Sequence, residues 1–225
     1  MEFETLVNSR RSVRGYKSDP VPRAVIEDVI ALAKGAPSSM NSQPWHVHVL
    51  TGAPLEEVRR RNTEMMLAGA KPHREILTHG PYEGIHRDRQ VGIAMQLFAA
   101  MGIERHDKER RQDWVMRGFR QFDAPVSLVL TYDRVLDPGA TCHFDLGALS
   151  YGICLAAWDR GLGTVVNGQG IMRSDIVRDV ARIPDDEVIM TCIAMGYPDD
   201  DFAANAVKAV REPNDRFVHY VGFAE

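Results

Sequence analysis

The amino-acid sequence predicts one α+β domain that is rich in helices and contains few strands. Several segments repeat apolar residues at helical spacing, whereas 124–133 and 187–198 are apolar runs of strand length. The 225 residues, of which 44% are hydrophobic, are enough to bury a sizeable core in a single domain with at most one excursion.

The first half of the chain is predicted to be mainly helical. Residues 22–34 carry apolar side chains at helical spacing, and Pro22 suits the first turn of a helix. Residues 45–51 alternate in polarity as a strand does. Further helices are predicted at 54–67, 89–103 and 107–119. Glycines and prolines interrupt residues 68–86, which we therefore interpret as a loop-rich excursion from the domain.

The second half contains the most apolar elements. The strand at 124–133 has almost no polar residues, as expected when both of its faces are covered. Residues 142–163 are apolar nearly all round and predict a central buried helix. Gly147 and Gly152 each weaken a helix by about 1 kcal/mol relative to alanine, so another backbone is expected to pack closely there. The remaining predicted elements are a short strand at 163–168, a helix at 174–181 and the strand at 187–198.

Charge and cysteine content exclude several classes of protein. A net charge of −4 argues against a protein that binds nucleic acid through broad electrostatics. No apolar run approaches the roughly 18 residues of a membrane span. The three cysteines are widely spaced and odd in number, which favours reduced thiols over a disulfide framework. The sequence therefore predicts a cytoplasmic protein that binds neither nucleic acid nor membranes.

The stretch NSRRSVRGY, residues 8–16, places three arginines within five positions of an acidic chain. A solvated helix face and a processing signal are the two simpler interpretations, and the polar residues that follow argue against the signal. The guanidinium group can bond two oxygens of a phosphate at once, and the serines add hydroxyl donors. We interpret the stretch as a local site for one compact anion.

The stretch PSSMNSQPW, residues 37–45, presents short polar side chains between two prolines. Such a loop can supply many hydrogen bonds to a flat polar ligand, although it can also be an ordinary connection between helix and strand. His46 and His48 share one strand face and could chelate a metal, but no further ligand follows at a fitting spacing, so no metal site is predicted.

Four motifs in order give the chain a resemblance to the FMN-dependent nitroreductase family. They are RRSVRGY, APSSMNSQPWHV, AMGYP and the arginine of VREPNDRFV. The resemblance implies a nitroreductase-like fold, with a central, mostly antiparallel sheet flanked by helices, in an intertwined homodimer. It also implies that the C-terminal tail, residues 202–225, is exchanged with the partner subunit.

The resemblance further implies an activity. NADH or NADPH would reduce FMN, and the FMN would reduce a nitroaromatic compound such as nitrobenzoate or nitrobenzene. This is two-electron, ping-pong hydride transfer through N5 of FMN to nitroso and hydroxylamine products, with no catalytic side chain. Other reactions on the same scaffold stay open: quinone or enone reduction, reductive dehalogenation and flavin cleavage. A flavin-binding protein without catalysis is a further alternative.

The family's cofactor contacts carry over by position to twelve residues. Arg10, Ser12 and Arg211 match the contacts to the FMN phosphate, Arg14 matches the basic residue at the pyrimidine edge, and Arg11 lies beside them. Pro37, Ser38, Ser39 and Asn41 match a loop that reaches the partner's flavin. Val166, Asn167 and Gly168 match the backbone that covers the flavin near N5.

Two positions depart from the family pattern. Ala209 stands where many members carry a lysine, so that either Lys208 turns inward or the phosphate has one cation fewer. Gly118 lies near a position where family members often carry an asparagine. Arg120 is the candidate for the contact that this asparagine would make, and we place it among the substrate contacts. Within 68–86, Tyr82, His79 and His86 are expected near the aromatic substrate, the alternative being an exposed excursion without a role.

Overall fold

The computed structural model describes residues 1–76, 80–137 and 139–223. Four strands of this part form one antiparallel sheet: β1 (Trp45–Thr51), β2 (Val126–Asp133), β3 (Gly163–Val166) and β4 (Glu187–Gly196). Their spatial order is β1-β2-β4-β3, and every neighbouring pair is antiparallel. The antiparallel sheet flanked by helices that the resemblance implied is confirmed.

Helices cover both faces of the sheet. Their bounds are α1 (Phe3–Ser9), α2 (Arg23–Ala33), α3 (Gly52–Leu67), α4 (Gly84–Ala100), α5 (Lys108–Phe119), α6 (Ala140–Asp159) and α7 (Ser174–Ala181). The sequence analysis missed α1, which buries no residue and therefore has no apolar face to detect. Because α4 begins at Gly84 rather than near 89, the end of the predicted excursion is helical.

The central strand β2 explains the apolar run at 124–133. Its residues are buried from Val126 to Tyr132, because the sheet lies between two helical layers. Leu128 and Leu130 belong to the core shared with α2 and α6. Val129 faces the opposite way, into the core formed with α3 and α7. A strand covered on both faces carries mostly apolar side chains, and the polar exceptions in β2, Ser127 and Thr131, are also buried.

The prediction that α6 is buried all round is wrong for a single chain. One side of α6 packs against α2, where Gly152 approaches the Ala33 backbone so closely that a β-carbon would lie 3.3 Å from the Ala33 Cα atom. On another side, Phe144, Gly147 and Tyr151 are exposed. The close approach expected at Gly152 is therefore present, and the one expected at Gly147 is absent within the described residues of this chain.

Two further findings concern the described residues. None of their helices combines the length and the hydropathy needed to cross a membrane. They contain no group of three or more His, Cys, Asp or Glu side chains arranged to hold a metal. His46 and His48 instead pair with single carboxylates, at 2.9 Å from Asp133 and 2.6 Å from Glu187.

Candidate active site

The arginine-rich segment is held at the free edge of β3. Ser12 bridges to Thr164 in parallel fashion, and the amide of Val13 donates to the Thr164 carbonyl at 2.9 Å. Val13 is fully buried, and its side chain fills the space that a β-carbon on Gly163 would need. Because successive side chains of an extended segment point to opposite sides, burying Val13 directs its two neighbours away from the core.

Asn205 fixes the end of this segment. Its side-chain oxygen accepts from the amides of Arg14 at 2.7 Å and Gly15 at 3.2 Å, while its nitrogen donates to the Gly15 carbonyl at 2.8 Å. The Asn205 carbonyl also accepts from Arg11 Nε at 2.6 Å. Since Asn205 is itself 2% exposed, this contact joins the N-terminal segment rigidly to the C-terminal part of the chain.

A cavity of about 100 Å³ opens beside the segment. The cations at its wall are Arg10, Arg11, Arg14, Lys208 and Arg211, and its described lining contains no Asp or Glu. The Nε atom of Arg10 is buried and has no hydrogen-bond partner in the described part of the chain. A buried donor without an acceptor is costly, and a phosphate oxygen would satisfy it. The residues present therefore fit a phosphate group.

The cationic side chains at this cavity differ in the contacts that they make within the protein. Arg11 donates from Nε to the Asn205 carbonyl and lies over the Trp158 ring at 5.2 Å, so that both contacts hold its guanidinium against the protein. Lys208, the neighbour of Ala209, is among the residues that line the cavity. Burial lowers the pKa of Arg14, the guanidinium expected at the pyrimidine edge.

The turn after β3 is stabilised by hydrogen bonds of the Asn167 side chain. Asn167 is buried, its side chain donates to the Gly118 carbonyl at 2.8 Å, and its oxygen accepts from the Gln169 amide at 3.0 Å. Its polar atoms therefore shape the turn, while Val166 stays half exposed and Gly168 partly exposed. A β-carbon on Gly168 would lie 3.5 Å from the Arg74 guanidinium, which places that side chain of the excursion over the turn.

Gly118 and Arg120 have structural reasons for their positions. A β-carbon on Gly118 would overlap the end of the Gln169 side chain, so a larger residue at 118 would have to displace that side chain. Arg120 pairs with Asp113 at 3.4 Å and with Asp123 at 3.3 Å. Arg120 is not among the residues that line the cavities described here, and the structure does not bring it together with Tyr82 or His86.

The loop at 37–43 lies on the surface of its own chain. Both carboxylate oxygens of buried Asp145 accept from the Ser39 amide, at 3.1 and 3.2 Å, and Ser38 Oγ accepts from the Gln43 amide. Met40, Asn41 and Gln43 adopt positive φ, which is uncommon for residues other than glycine. Of the predicted loop contacts, Pro37, Ser39 and Asn41 are exposed and Ser38 is partly buried, and none of them lines the arginine cavity.

The first part of the excursion is bonded to the rest of the domain, and its last part lines a cavity. Glu75 accepts from Arg178 at 2.9 and 2.7 Å and from the Ile189 amide at 2.8 Å, which ties the excursion to α7 and β4. Tyr82 and His86 line a cavity of about 630 Å³. This second cavity shares Ile93, Ala209 and Arg211 with the arginine cavity, so the two are adjacent. His79 lies outside the described residues.

Comparison with known proteins identifies the family. The family model described as "Nitroreductase family" matches residues 7–197. The chain belongs to the nitroreductase family. A chloronitrobenzene nitroreductase from Comamonas testosteroni is 33% identical over 97% of this chain and 96% of its own length. A 4-nitrobenzoate reductase from Pseudomonas putida is 30% identical over 99% of this chain and 96% of its own length.

Two solved structures of nitroreductases share the fold of this chain. The FMN and NADPH-dependent nitroreductase NfnB from sphigopyxis sp. strain HMH superposes with a TM-score of 0.93 at 27% identity, covering 99% of this chain and all of that one (100%). The FMN-dependent nitroreductase NfnB from Mycobacterium smegmatis, in complex with NADPH, has a TM-score of 0.89 at 26% identity and covers 97% of each chain. The resemblance inferred from the four motifs is confirmed.

The sequence analysis did not identify two residues that contact the arginine-rich segment. Asn205 lies in a segment without helical or strand periodicity. It contacts residues 11–15, which are at least 190 positions away in the sequence, so no local signal marks it. Arg117 donates to the Arg14 carbonyl at 3.1 Å. Arg117 begins the stretch RGFRQFDAP, residues 117–125, in which the sequence analysis considered only the neighbouring positions 118 and 120.

Proposed function

We propose that this nitroreductase binds FMN and reduces nitroaromatic compounds with NADH or NADPH. The observation that carries the proposal is the cation-lined cavity with the buried, unpartnered Arg10 Nε. Support comes from relatives named for chloronitrobenzene, nitrobenzene and 4-nitrobenzoate reduction, and from solved neighbours named for FMN and NADPH. We also propose a cytoplasmic location, which the three free cysteines support.

FMN, when bound, supplies two-electron transfer between a nicotinamide and a nitro group. The chain's own residues bind and orient it. Arg10, Ser12 and Arg211 would hold the phosphate, with Lys208 at the same wall. Arg14 would stabilise negative charge at the pyrimidine edge, since a fixed, desolvated cation acts strongly on charge that develops during a reaction. The turn Val166, Asn167 and Gly168 would cover the face near N5.

The proposal is tested on the purified protein. We expect a yellow protein whose released chromophore is FMN rather than FAD, and which oxidises NADH or NADPH in the presence of nitrobenzene or 4-nitrobenzoate. A panel that adds quinones, enones and halogenated phenols distinguishes the other reactions of the scaffold. A colourless protein that does not bind added FMN would contradict the proposal, and FMN binding without turnover of any substrate would support a flavin-binding protein.

Tyr82 is proposed to contact the aromatic substrate from the wall of the second cavity, together with His86. Replacing Tyr82 with alanine is expected to change kcat/KM for nitroaromatics about tenfold, or about 1.4 kcal/mol. FMN content and the rate of reduction by NAD(P)H should change far less, because the phosphate contacts lie in the adjacent cavity. Val135→Ala, on an exposed turn, is the control; equal kinetics for the two variants would reject the role of Tyr82.

We further propose a homodimer in which the loop at 37–41 reaches the partner's FMN. The exposed apolar side of α6 supports this, since Phe144 is 77% exposed and Gly147 has open space around it. Phe202, Ala204 and Asn205 pack on their own chain, so the exchanged part of the tail is proposed to be 213–223. Its apolar side chains Phe217, Tyr220, Val221 and Phe223 are exposed.

Gly147→Glu tests the dimer. Nothing lies within 4 Å of the position that a β-carbon on Gly147 would take, so the variant should fold as a single chain. At a dimer interface the added carboxylate would be buried without a partner, and we expect sedimentation to show a monomer that has lost FMN. Met65→Glu, on α3 at the opposite face of the sheet, is the control. A yellow dimer for Gly147→Glu would place the interface elsewhere.

A further inference from the structure

We propose that Cys192 is a positioning residue whose thiol aims the Gly168 amide at the FMN bound over the turn after β3. The inference rests on the proposed function and deepens it, because it gives a role to a fully buried side chain of β4. Its basis is the direction of one peptide group, the one that joins Asn167 to Gly168.

Two hydrogen bonds join Cys192 to Asn167. The Asn167 amide donates to the Cys192 carbonyl at 2.8 Å, and the Cys192 thiol donates to the Asn167 carbonyl at 3.0 Å. The first bond continues the pairing of β3 with β4 by one residue, whereas the second depends on the cysteine side chain. Burial raises the pKa of the Cys192 thiol to about 12, so that the thiol keeps its hydrogen at neutral pH and stays a donor.

The bond from the thiol sets the direction of the next amide. The Asn167 carbonyl points inward, toward a side chain that has no exposed surface. In a planar trans peptide the carbonyl of one residue and the amide of the next point in opposite directions. The Gly168 amide therefore points away from the core, and it makes no hydrogen bond within the described chain. Gly168 is partly exposed, so its amide faces the surface over which FMN is proposed to lie.

Neighbouring contacts fix the turn on both sides of this peptide. The Asn167 side chain donates to the Gly118 carbonyl at 2.8 Å. A β-carbon on Gly170 would lie 2.6 Å from Cys192 Sγ, so the far end of the turn packs against the same thiol. The peptide between these points can still rotate, because glycine adopts positive and negative φ at little cost. The thiol bond therefore selects the orientation in which the carbonyl points inward.

The orientation of this peptide affects the two redox forms of FMN differently. N5 of oxidised FMN accepts a hydrogen bond, whereas two-electron reduction adds a hydrogen to N5 and makes it a donor. An outward amide near N5 therefore stabilises oxidised FMN, and an outward carbonyl would stabilise reduced FMN. By keeping the carbonyl inward, the Cys192 thiol lowers the midpoint potential of the bound FMN.

The test compares Cys192→Ala with Cys192→Ser by spectroscopic redox titration of the FMN-loaded protein. Both residues are smaller than cysteine and fit beside Gly170, but serine keeps a donor for the Asn167 carbonyl. Cys192→Ala is expected to raise the midpoint potential by about 30 mV, which is a tenfold change in the preference for reduced over oxidised FMN. Cys192→Ser should stay near the wild-type potential.

Cys142→Ala is the matched control. It also removes a buried thiol, one that donates to the Gly139 carbonyl at 2.9 Å on α6, and it should leave the potential unchanged. Equal potentials in the Cys192→Ala, Cys192→Ser and wild-type proteins, or a lower potential in Cys192→Ala, would overturn the inference and leave the proposed function intact.

Hydrogen exchange of the Gly168 amide, followed by NMR, tests the direction of the peptide in the wild-type protein. We expect FMN to slow this exchange about tenfold or more, because the amide gains an acceptor. The measurement needs no variant, so it still decides the question if Cys192→Ala does not load FMN. Equal exchange rates with and without FMN would overturn the inference alone, whereas failure of the wild-type protein to bind FMN would overturn the proposed function as well.

Discussion

Replacing Arg10 with alanine is expected to weaken FMN binding ten- to a hundredfold. Arg10 lines the phosphate-sized cavity, and its buried Nε has no acceptor within the described chain. A hydrogen bond from a charged donor contributes about 1.5–3 kcal/mol, and the affinity ratio follows from that range. The dissociation constant is measured by fluorescence titration of the apoprotein with FMN.

Arg23→Ala is the control for this prediction. Arg23 is an exposed arginine on α2 that pairs with Glu27, so its loss removes the same charge from the chain far from the cavity. Equal FMN affinity in the Arg10 and Arg23 variants would show that the cavity is not the phosphate site. Because the buried Nε of Arg10 makes no hydrogen bond within the described chain, its loss should change the free energy of unfolding of the apoprotein little.

Asn205→Ala is expected to lower the free energy of unfolding by about 3 kcal/mol, since several backbone groups lose partners and each buried unsatisfied group costs about 1–3 kcal/mol. The amides of Arg14 and Gly15 lose their acceptor, and the Gly15 carbonyl loses one donor. The segment that carries Arg10 and Arg14 would then be held less firmly, by main-chain contacts such as those of Arg11 with Asn205 and of Gly15 with Asp199. Urea denaturation of the apoprotein measures the loss of stability, and FMN titration measures the loss of affinity.

Gln112→Ala, at an exposed position of α5, should leave both quantities unchanged. Asn205→Asp keeps the acceptor for the two amides but loses the donor, so its stability should lie between those of the wild type and Asn205→Ala. An Asn205→Ala protein with wild-type stability would mean that water replaces the side chain at this junction, and the proposed rigid link would be wrong.

Much of the fold could be predicted from local patterns. The strand at 45–51 and the helix at 174–181 were predicted with the bounds that the structure has, because each presents a clear alternating or helical pattern over its whole length. The apolar strands were also found, with ends that differ by two residues. Helix α1 was missed because it buries no side chain and therefore has no apolar face that a periodic pattern could reveal.

The candidate site divides in a similar way. Arg10, Ser12, Arg14 and Arg211, which come from two motifs far apart along the chain, line one cavity. Arg11 was predicted as a cofactor contact, and the structure shows its Nε bonded to the Asn205 carbonyl. A motif identifies which residue types are present, whereas hydrogen bonds formed after folding decide which polar atoms stay available to a ligand.

The sequence by itself predicted a helix-rich α+β domain with a candidate anion site near its start, because both follow from residues that are neighbours along the chain. Only the tertiary structure decided how that site is completed. Asn205 meets Gly15 from 190 positions away, and Arg117 meets Arg14 from 103 positions away. Contacts of such separation depend on how β3, α5 and the C-terminal segment pack together, and no local periodicity records that packing.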